Sequence, residues 1–132
     1  MAIKVLLIEN DPKYLEAIHG MLEGAGFSVF TATQADVGFS IAKNVLPSII
    51  LLNLAAPGTN GLDICKTMHA TEELKGTPIV LLTLKDGNYD PLYESTYGIV
   101  GFIKKPLNPD TFADEINKWV ETGFAPSSDE AR

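Results

Sequence analysis

The chain has 132 residues, enough for one domain with a single hydrophobic core, and its formal net charge at pH 7 is -7. This acidic balance argues against direct binding to nucleic acid or to an anionic membrane surface, because both need clustered Lys and Arg. The single cysteine, Cys65, cannot form an internal disulfide, and no apolar segment approaches the length of a membrane span, so we expect a cytoplasmic protein.

Short apolar segments alternate with helical patterns in the first half of the chain. They predict a strand, a helix, a weaker strand at or near a sheet edge, a second helix and a third strand. These elements span residues 3–8, 12–24, 27–32, 36–44 and 48–54. Asp11 and Pro12 carry the N-cap and first-position signature of the first helix.

The second half continues the same alternation. A third helix, a fourth strand, a short fourth helix and a fifth strand are predicted at residues 62–71, 78–83, 90–97 and 99–103. Asn108 and Pro109 repeat the N-cap signature before a final helix, whose apolar face carries Phe112, Ile116, Trp119 and Val120.

Strict alternation of strands and helices predicts an α/β fold, a doubly wound five-stranded parallel sheet with helices on both faces. We assign residues 1–122 to this domain and residues 123–132 to a tail or the start of a linker.

Polar residues follow the apolar strands at their carboxyl ends. Glu9 and Asn10 follow the first strand, Asn53 the third, Thr83 the fourth and Lys105 the fifth. Open α/β sheets bind ligands beyond the carboxyl ends of their strands, at the point where strand order reverses. We therefore expect these five residues to converge on one shallow site.

Four segments give the chain a family resemblance over residues 3 to about 122. The segments are "VLLIENDP", "PSIILLNLAAPGTNGLD", "TPIVLLTL" and "GFIKKP". In this order and spacing, the chain resembles the receiver domain of bacterial two-component response regulators, which has a flavodoxin-like fold. The resemblance implies an acidic pair that holds magnesium, an aspartate phosphorylated by a histidine kinase, a Thr or Ser and a Lys that contact the phosphoryl group, and an aromatic switch residue.

The chain departs from this family pattern at the reacting positions. Glu9 matches the first acidic position, but Asn10 occupies the second, metal-ligating one, and Asn53 occupies the phospho-acceptor position. Thr83 and Lys105 are retained. Phe102 matches the aromatic switch, and Leu84 stands where the family usually has a small residue. The resemblance also implies a cis peptide bond between Lys105 and Pro106.

These departures predict that the phosphoryl chemistry is absent. An amide is a poor nucleophile and cannot form an acyl phosphate. Relative to the family's three carboxylates and one Lys, the formal charge of the pocket rises from -2 to 0, so we expect neither magnesium nor another cofactor, and no enzymatic activity. An introduced substitution would explain Asn53 alone, but not Asn10 and Leu84 as well.

The retained residues then have structural interpretations. Lys105 is expected to pair with Glu9 or to bind Asn53, and Asn53 itself to be a hydrogen-bonding structural amide. Thr83 is expected to be a capping hydroxyl, and Phe102 a fixed packing residue rather than a switch.

Three tyrosines recur four residues apart around the short fourth helix. Tyr89, Tyr93 and Tyr97 either form a partner surface, since Tyr is enriched at interfaces, or are scattered aromatics of which Tyr89 packs on the core. In the resembling family, this helix, the fifth strand and the last helix form the usual output and dimer face.

The leading hypothesis is a receiver-like signalling module that acts through a protein partner without aspartyl phosphorylation. The partner would be a signalling or effector protein, such as a histidine kinase or a second copy of the chain. The alternative is a conventional phospho-accepting receiver domain, against which Asn53 argues. A flavin- or nucleotide-binding enzyme ranks last, because "ENDP" after the first strand has no Gly-rich phosphate cradle.

Overall fold

The computed structural model describes residues 2–53, 61–83, 95–105 and 107–122. Within these ranges the chain forms five strands and four complete helices. The strands are β1 (Lys4–Ile8), β2 (Ser28–Ala32), β3 (Ile49–Leu52), β4 (Ile79–Thr83) and β5 (Ile99–Lys104). The helices are α1 (Pro12–Gly24), α2 (Ala35–Val45), α3 (Gly61–Ala70) and α4 (Phe112–Thr122).

The strands form one parallel sheet in the order β2-β1-β3-β4-β5. This confirms the predicted fold class and the predicted edge position of the second strand. The chain leaves β1 toward β2 and returns to β3 on the other side of β1. Strand order therefore reverses between β1 and β3, and a crevice opens at their carboxyl ends.

Apolar side chains cover both faces of the sheet, which explains why the central strands are continuously apolar. In β1, Leu6 and Ile8 face one cluster while Val5 and Leu7 face the other. The first cluster includes buried residues of α2 and α3, and the second includes buried residues of α1 and α4. Helices therefore cover both faces of the sheet, and the edge formed by the carboxyl ends of its strands is left for a functional site.

Local signals place the start and end of α1 where the sequence predicts them. The Asp11 side chain accepts a hydrogen bond of 3.0 Å from the Lys13 amide, and Pro12 occupies the first turn. The helix ends at Gly24, and Gly26 has a φ of 93°, a conformation that glycine adopts without steric cost. The first turn of α1 therefore lies directly beside the end of β1.

The last helix begins later than its sequence signature predicts. Asn108 caps a turn instead: its side-chain oxygen accepts from the Asp110 amide at 3.0 Å, and its carbonyl accepts from the Phe112 amide at 3.0 Å. Regular helix starts only at Phe112. The predicted apolar face is nevertheless correct, because Phe112, Ile116 and Trp119 are buried.

Three predicted segments fall wholly or partly outside the described residues, and the first is the third strand at 48–54, of which residue 54 is not described. Of the predicted helix at 90–97, the structure describes residues 95–97, which are helical. Tyr89 and Tyr93 lie outside the described residues, as does the tail at 123–132. Among the helices that the structure describes, none combines the length and the apolar character that crossing a bilayer would require.

Candidate functional site

Backbone hydrogen bonds extend the sheet pairing into the crevice. The Glu9 amide donates to the Ala32 carbonyl at 3.0 Å, and the Asn53 amide donates to the Ile8 carbonyl at 2.9 Å. These bonds place Glu9 and Asn53 side by side, one residue beyond β1 and β3. At the other side of the crevice, the Lys105 amide donates to the Thr83 carbonyl at 2.6 Å.

A buried ion pair crosses the crevice between Glu9 and Lys105. The Lys105 Nζ lies 2.5 Å from Glu9 Oε1, and the two side chains are 4% and 0% exposed, respectively. Lys105 thus contacts one of the two partners named from the sequence. The pair joins the ends of β1 and β5, which lie 96 residues apart in the chain.

The Asn53 side chain closes the other side of the Glu9 carboxylate. Its Nδ2 donates to Glu9 Oε2 at 2.9 Å and to Asn10 Oδ1 at 3.0 Å. A carboxylate only accepts hydrogen bonds, so the amide must turn its NH₂ group toward Glu9. The Asp11 backbone amide donates to the same Oε2 at 3.1 Å. Glu9 therefore accepts from three groups, and the structural-amide interpretation of Asn53 is consistent with this geometry.

The crevice has a further residue that the sequence analysis missed. The Lys105 Nζ lies 4.1 Å from the centroid of the Tyr14 ring, a distance typical of a cation–π contact. Tyr14 lies in the first turn of α1 and is half-buried. The sequence does contain a signal for this contact. Tyr14 lies three positions after the N-cap Asp11, at the start of the helix that follows β1 and Glu9.

The donor groups in the crevice do not fit a magnesium ion, the metal that the family resemblance implies. Magnesium is usually anchored by carboxylates. Both Glu9 oxygens already accept hydrogen bonds, and the Asn10 oxygen accepts from Asn53. The charges of Glu9 and Lys105 cancel. Over residues 2–53, 61–83, 95–105 and 107–122, no three or more His, Cys, Asp or Glu side chains are grouped so that they could hold a metal ion.

Of the remaining residues predicted for the site and the partner surface, the structure describes some and not others. Thr83 is half-buried at the end of β4. Phe102 and Tyr97 are partly buried and pack against the core cluster on the α2 and α3 side. Leu84, Tyr89, Tyr93 and Pro106 lie outside the described residues, so the crowding by Leu84, the tyrosine surface and the cis peptide bond stay predictions.

Known proteins resemble this chain in sequence and in fold. Residues 5–117 match the response regulator receiver domain family. Protein PilH of Pseudomonas aeruginosa is 25% identical over 86% of this chain and 94% of its own length. The DNA-binding response regulator MtrA of Mycolicibacterium smegmatis is 29% identical over 83% of this chain, which spans 46% of MtrA, or about half its length.

Solved structures show the same fold. The chemotaxis protein CheY4 of Vibrio cholerae superposes with a TM-score of 0.81 at 23% identity, over 89% of this chain and 98% of CheY4. The receiver domain of the sensor histidine kinase PA1611 from Pseudomonas aeruginosa, which has a magnesium ion in its active-site cleft, gives a TM-score of 0.81 at 20% identity, over 92% of this chain and all of that domain. The match over residues 5–117 covers most of the chain, which therefore belongs to the response regulator receiver domain family.

Proposed function

We propose that this receiver domain is a signal-transduction module that works without aspartyl phosphorylation and acts through protein–protein interaction. The observation that carries the proposal is the position of Asn53. It follows β3, at the acceptor position that the family resemblance assigns, and its NH₂ group faces the Glu9 carboxylate at 2.9 Å.

The chemistry of that contact argues against phosphoryl transfer. An acceptor must present an anionic oxygen to phosphorus, whereas Asn53 presents a hydrogen-bond donor to a neighbouring acid. The ammonium of Lys105, which would counter the charge of a phosphoryl group, is already neutralised by Glu9. Asn10 contributes a neutral oxygen rather than a carboxylate. The pocket is therefore organised around an internal ion pair, and we do not assign it an enzymatic role.

The competing proposal is a conventional phospho-accepting receiver domain. It is supported by the family membership and by the presence of Thr83 and Lys105. The two proposals differ in one measurable property, the formation of an acyl phosphate at residue 53.

Labelling with acetyl phosphate in the presence of magnesium, followed by peptide-level mass spectrometry, separates the two. We expect no label in the native chain or in Asn53→Asp, because the new carboxylate would lie beside Glu9 without a metal, and like-charge repulsion favours its protonated form. Adding Asn10→Asp should restore metal binding in part, and adding Leu84→Ala should then permit measurable labelling.

Asn44→Asp provides the matched control, because it adds a carboxylate at an exposed asparagine of α2 and should remain unlabelled in every background. Stable labelling at residue 53 in the single Asn53→Asp variant would show that the rest of the pocket is competent. The proposal of an altered pocket would then be wrong, and a single inactivating change at Asn53 would be the better explanation.

For the partner, we propose a signalling or effector protein, such as a histidine kinase or a second copy of the chain. The net charge of -7 disfavours direct contact with nucleic acid, and a DNA-binding activity such as the one in MtrA's name is not proposed for this domain.

Two measurements test the partner proposal. Sedimentation velocity over a range of concentrations detects self-association, and biolayer interferometry against purified histidine kinases of the same organism detects kinase binding. In both, the affinity should be unchanged by acetyl phosphate and magnesium. An affinity that changes with the phosphodonor would contradict phosphorylation-independent action.

A further inference from the structure

The contacts of Tyr14 extend the pocket beyond the positions that carry the family resemblance. Its ring lies on the α1 side of the Lys105 ammonium, at 4.1 Å, while Glu9 contacts the same ammonium at 2.5 Å. The Lys105 side chain is 4% exposed. One ammonium group therefore contacts both a carboxylate at the end of β1 and an aromatic ring in the first turn of α1.

We propose that Tyr14 is a positioning residue of this pocket, whose ring holds the Lys105 ammonium at Glu9, on the side formed by β1 and α1. The proposal deepens the proposed function, on which its signalling meaning rests. A lysine held at this side neutralises Glu9 rather than an incoming anionic group. NMR of the Lys105 side chain tests the contact directly, so this proposal can fail while the pocket still proves unreactive to acetyl phosphate.

Two physical arguments support a role for the ring rather than mere packing. A lysine ammonium has three N–H donors, and within the described residues Glu9 is its hydrogen-bonded partner. The hydrogen bond to Glu9 therefore leaves part of the ammonium surface available to the ring. The face of an aromatic ring is attractive to a cation, and this attraction is larger where the cation is removed from water. The buried Lys105 satisfies that condition.

The chain contains an exposed counterpart that provides a matched control. The Lys43 Nζ lies 4.6 Å from the centroid of the Phe39 ring on α2, but Lys43 is exposed. A cation–π contact in water is weak, so loss of the Phe39 ring should leave Lys43 unaffected. The two pairs thus separate the effect of the ring in a desolvated site from a general effect of removing an aromatic residue.

The test is NMR of the lysine side chains in isotope-labelled protein, with Tyr14→Phe, Tyr14→Leu and Phe39→Leu as variants. In the native chain, the Lys105 methylene protons next to Nζ should be shifted upfield by the Tyr14 ring and show nuclear Overhauser effects to it. The ammonium protons of Lys105 should exchange slowly with water. Tyr14→Phe keeps the aromatic face and should preserve both properties.

Tyr14→Leu keeps apolar volume but removes the aromatic face. We expect the upfield shift to disappear and ammonium exchange at Lys105 to accelerate by about five-fold or more, as loss of one desolvated cation–π contact implies. Lys43 exchange should be the same in the native chain and in Phe39→Leu.

Three results would overturn the proposal. These are an absence of ring contacts to Lys105 in the native spectrum, unchanged exchange in Tyr14→Leu, and a Tyr14→Phe variant that behaves like Tyr14→Leu. The last would assign the effect to the hydroxyl rather than to the ring. If a variant fails to fold, the native spectrum can still contradict the proposal, because an absence of ring contacts to Lys105 would exclude it.

Discussion

Replacing Glu9 with glutamine removes the carboxylate that pairs with the buried Lys105 ammonium. The substitution keeps the length of the side chain, and one oxygen remains to accept hydrogen bonds. It also replaces the other oxygen with an NH₂ group. That group would face a donor, because one Glu9 oxygen accepts from Lys105 and the other from Asn53 and the Asp11 amide. The change therefore removes a charge and introduces a donor–donor contact.

Burial determines the size of the expected effect. The Glu9 and Lys105 side chains are 0% and 4% exposed, so the lysine left behind cannot recover the hydration it had in the unfolded chain. Removing one partner of a buried ion pair typically costs about 3–5 kcal/mol. The glutamine oxygen and the Tyr14 ring retain part of the interaction, so we expect about 3 kcal/mol, at the lower end of that range. For a chain of this size, that loss lowers the melting temperature by about 10 °C.

Urea unfolding followed by Trp119 fluorescence measures this loss, because Trp119 is the single tryptophan of the chain and is buried in the core. The matched control is Lys75→Ala. Lys75 and Glu72 also form an ion pair, at 3.1 Å, but their side chains are 59% and 82% exposed. Breaking this exposed pair should cost less than about 1 kcal/mol.

A double-mutant cycle with Lys105→Met tests whether the loss comes from the pair itself. The methionine removes the buried ammonium, so Glu9→Gln should cost at least about 2 kcal/mol less in the Lys105→Met background than in the native one. If Glu9→Gln costs no more than Lys75→Ala, or if its cost is the same in both backgrounds, the buried pair is not the stabilising feature we describe.

Three further predictions concern Cys65, Gly101 and magnesium. Burial raises the pKa of the Cys65 thiol from 9.0 to about 12. As pH rises above 9, the thiol therefore ionises in the unfolded chain before it ionises in the folded one. Between pH 7 and pH 10, the native chain should lose about 1.4 kcal/mol more stability to urea unfolding than Cys65→Ala does. Equal losses in the two proteins would contradict the burial argument. Gly101→Ala should cost about 1–3 kcal/mol and shift Trp119 emission, because its Cβ would lie 2.8 Å from Trp119 Cζ2, and an unchanged urea midpoint would show that the indole can move away freely. Calorimetric titration of the native chain with magnesium should show no binding at concentrations that saturate the Asn10→Asp, Asn53→Asp variant, and equal heats for the two proteins would refute the charge argument.

The architecture could be predicted from the sequence because its signals are local. Continuous apolar strands separated by helices specify a parallel sheet with both faces covered, and the reversal of strand order follows from this topology. The boundary of the last helix could not be predicted in the same way. Asn108 and Pro109 carry a helix-start signature, but the Asn108 side chain and carbonyl are used in a turn that delays the helix to Phe112.

The convergence of Glu9, Asn53 and Lys105 could also be predicted, since parallel strands bring their carboxyl ends to one edge of the sheet. The sequence left open whether Lys105 would pair with Glu9 or bind Asn53, because both are within reach of a long side chain. The contact with Tyr14 was not predicted at all. It joins the first turn of α1 to the end of β5, and the sequence pattern of neither element specifies a contact between these two side chains.

The internal ion pair also explains why a pocket without an acidic acceptor would keep both Glu9 and Lys105. In the folded chain, neither charge can be removed alone without leaving the other buried and unpaired. Asn53 further ties the pair together, because its NH₂ group satisfies the Glu9 oxygen that Lys105 does not contact. An aspartate at position 53 would turn this donor into a second negative charge facing Glu9. We therefore expect the contacts that hold the carboxyl edge of the sheet together to oppose the phosphoryl chemistry that the family resemblance implies, and restoring that chemistry should require changes at Asn10, Asn53 and Leu84 together.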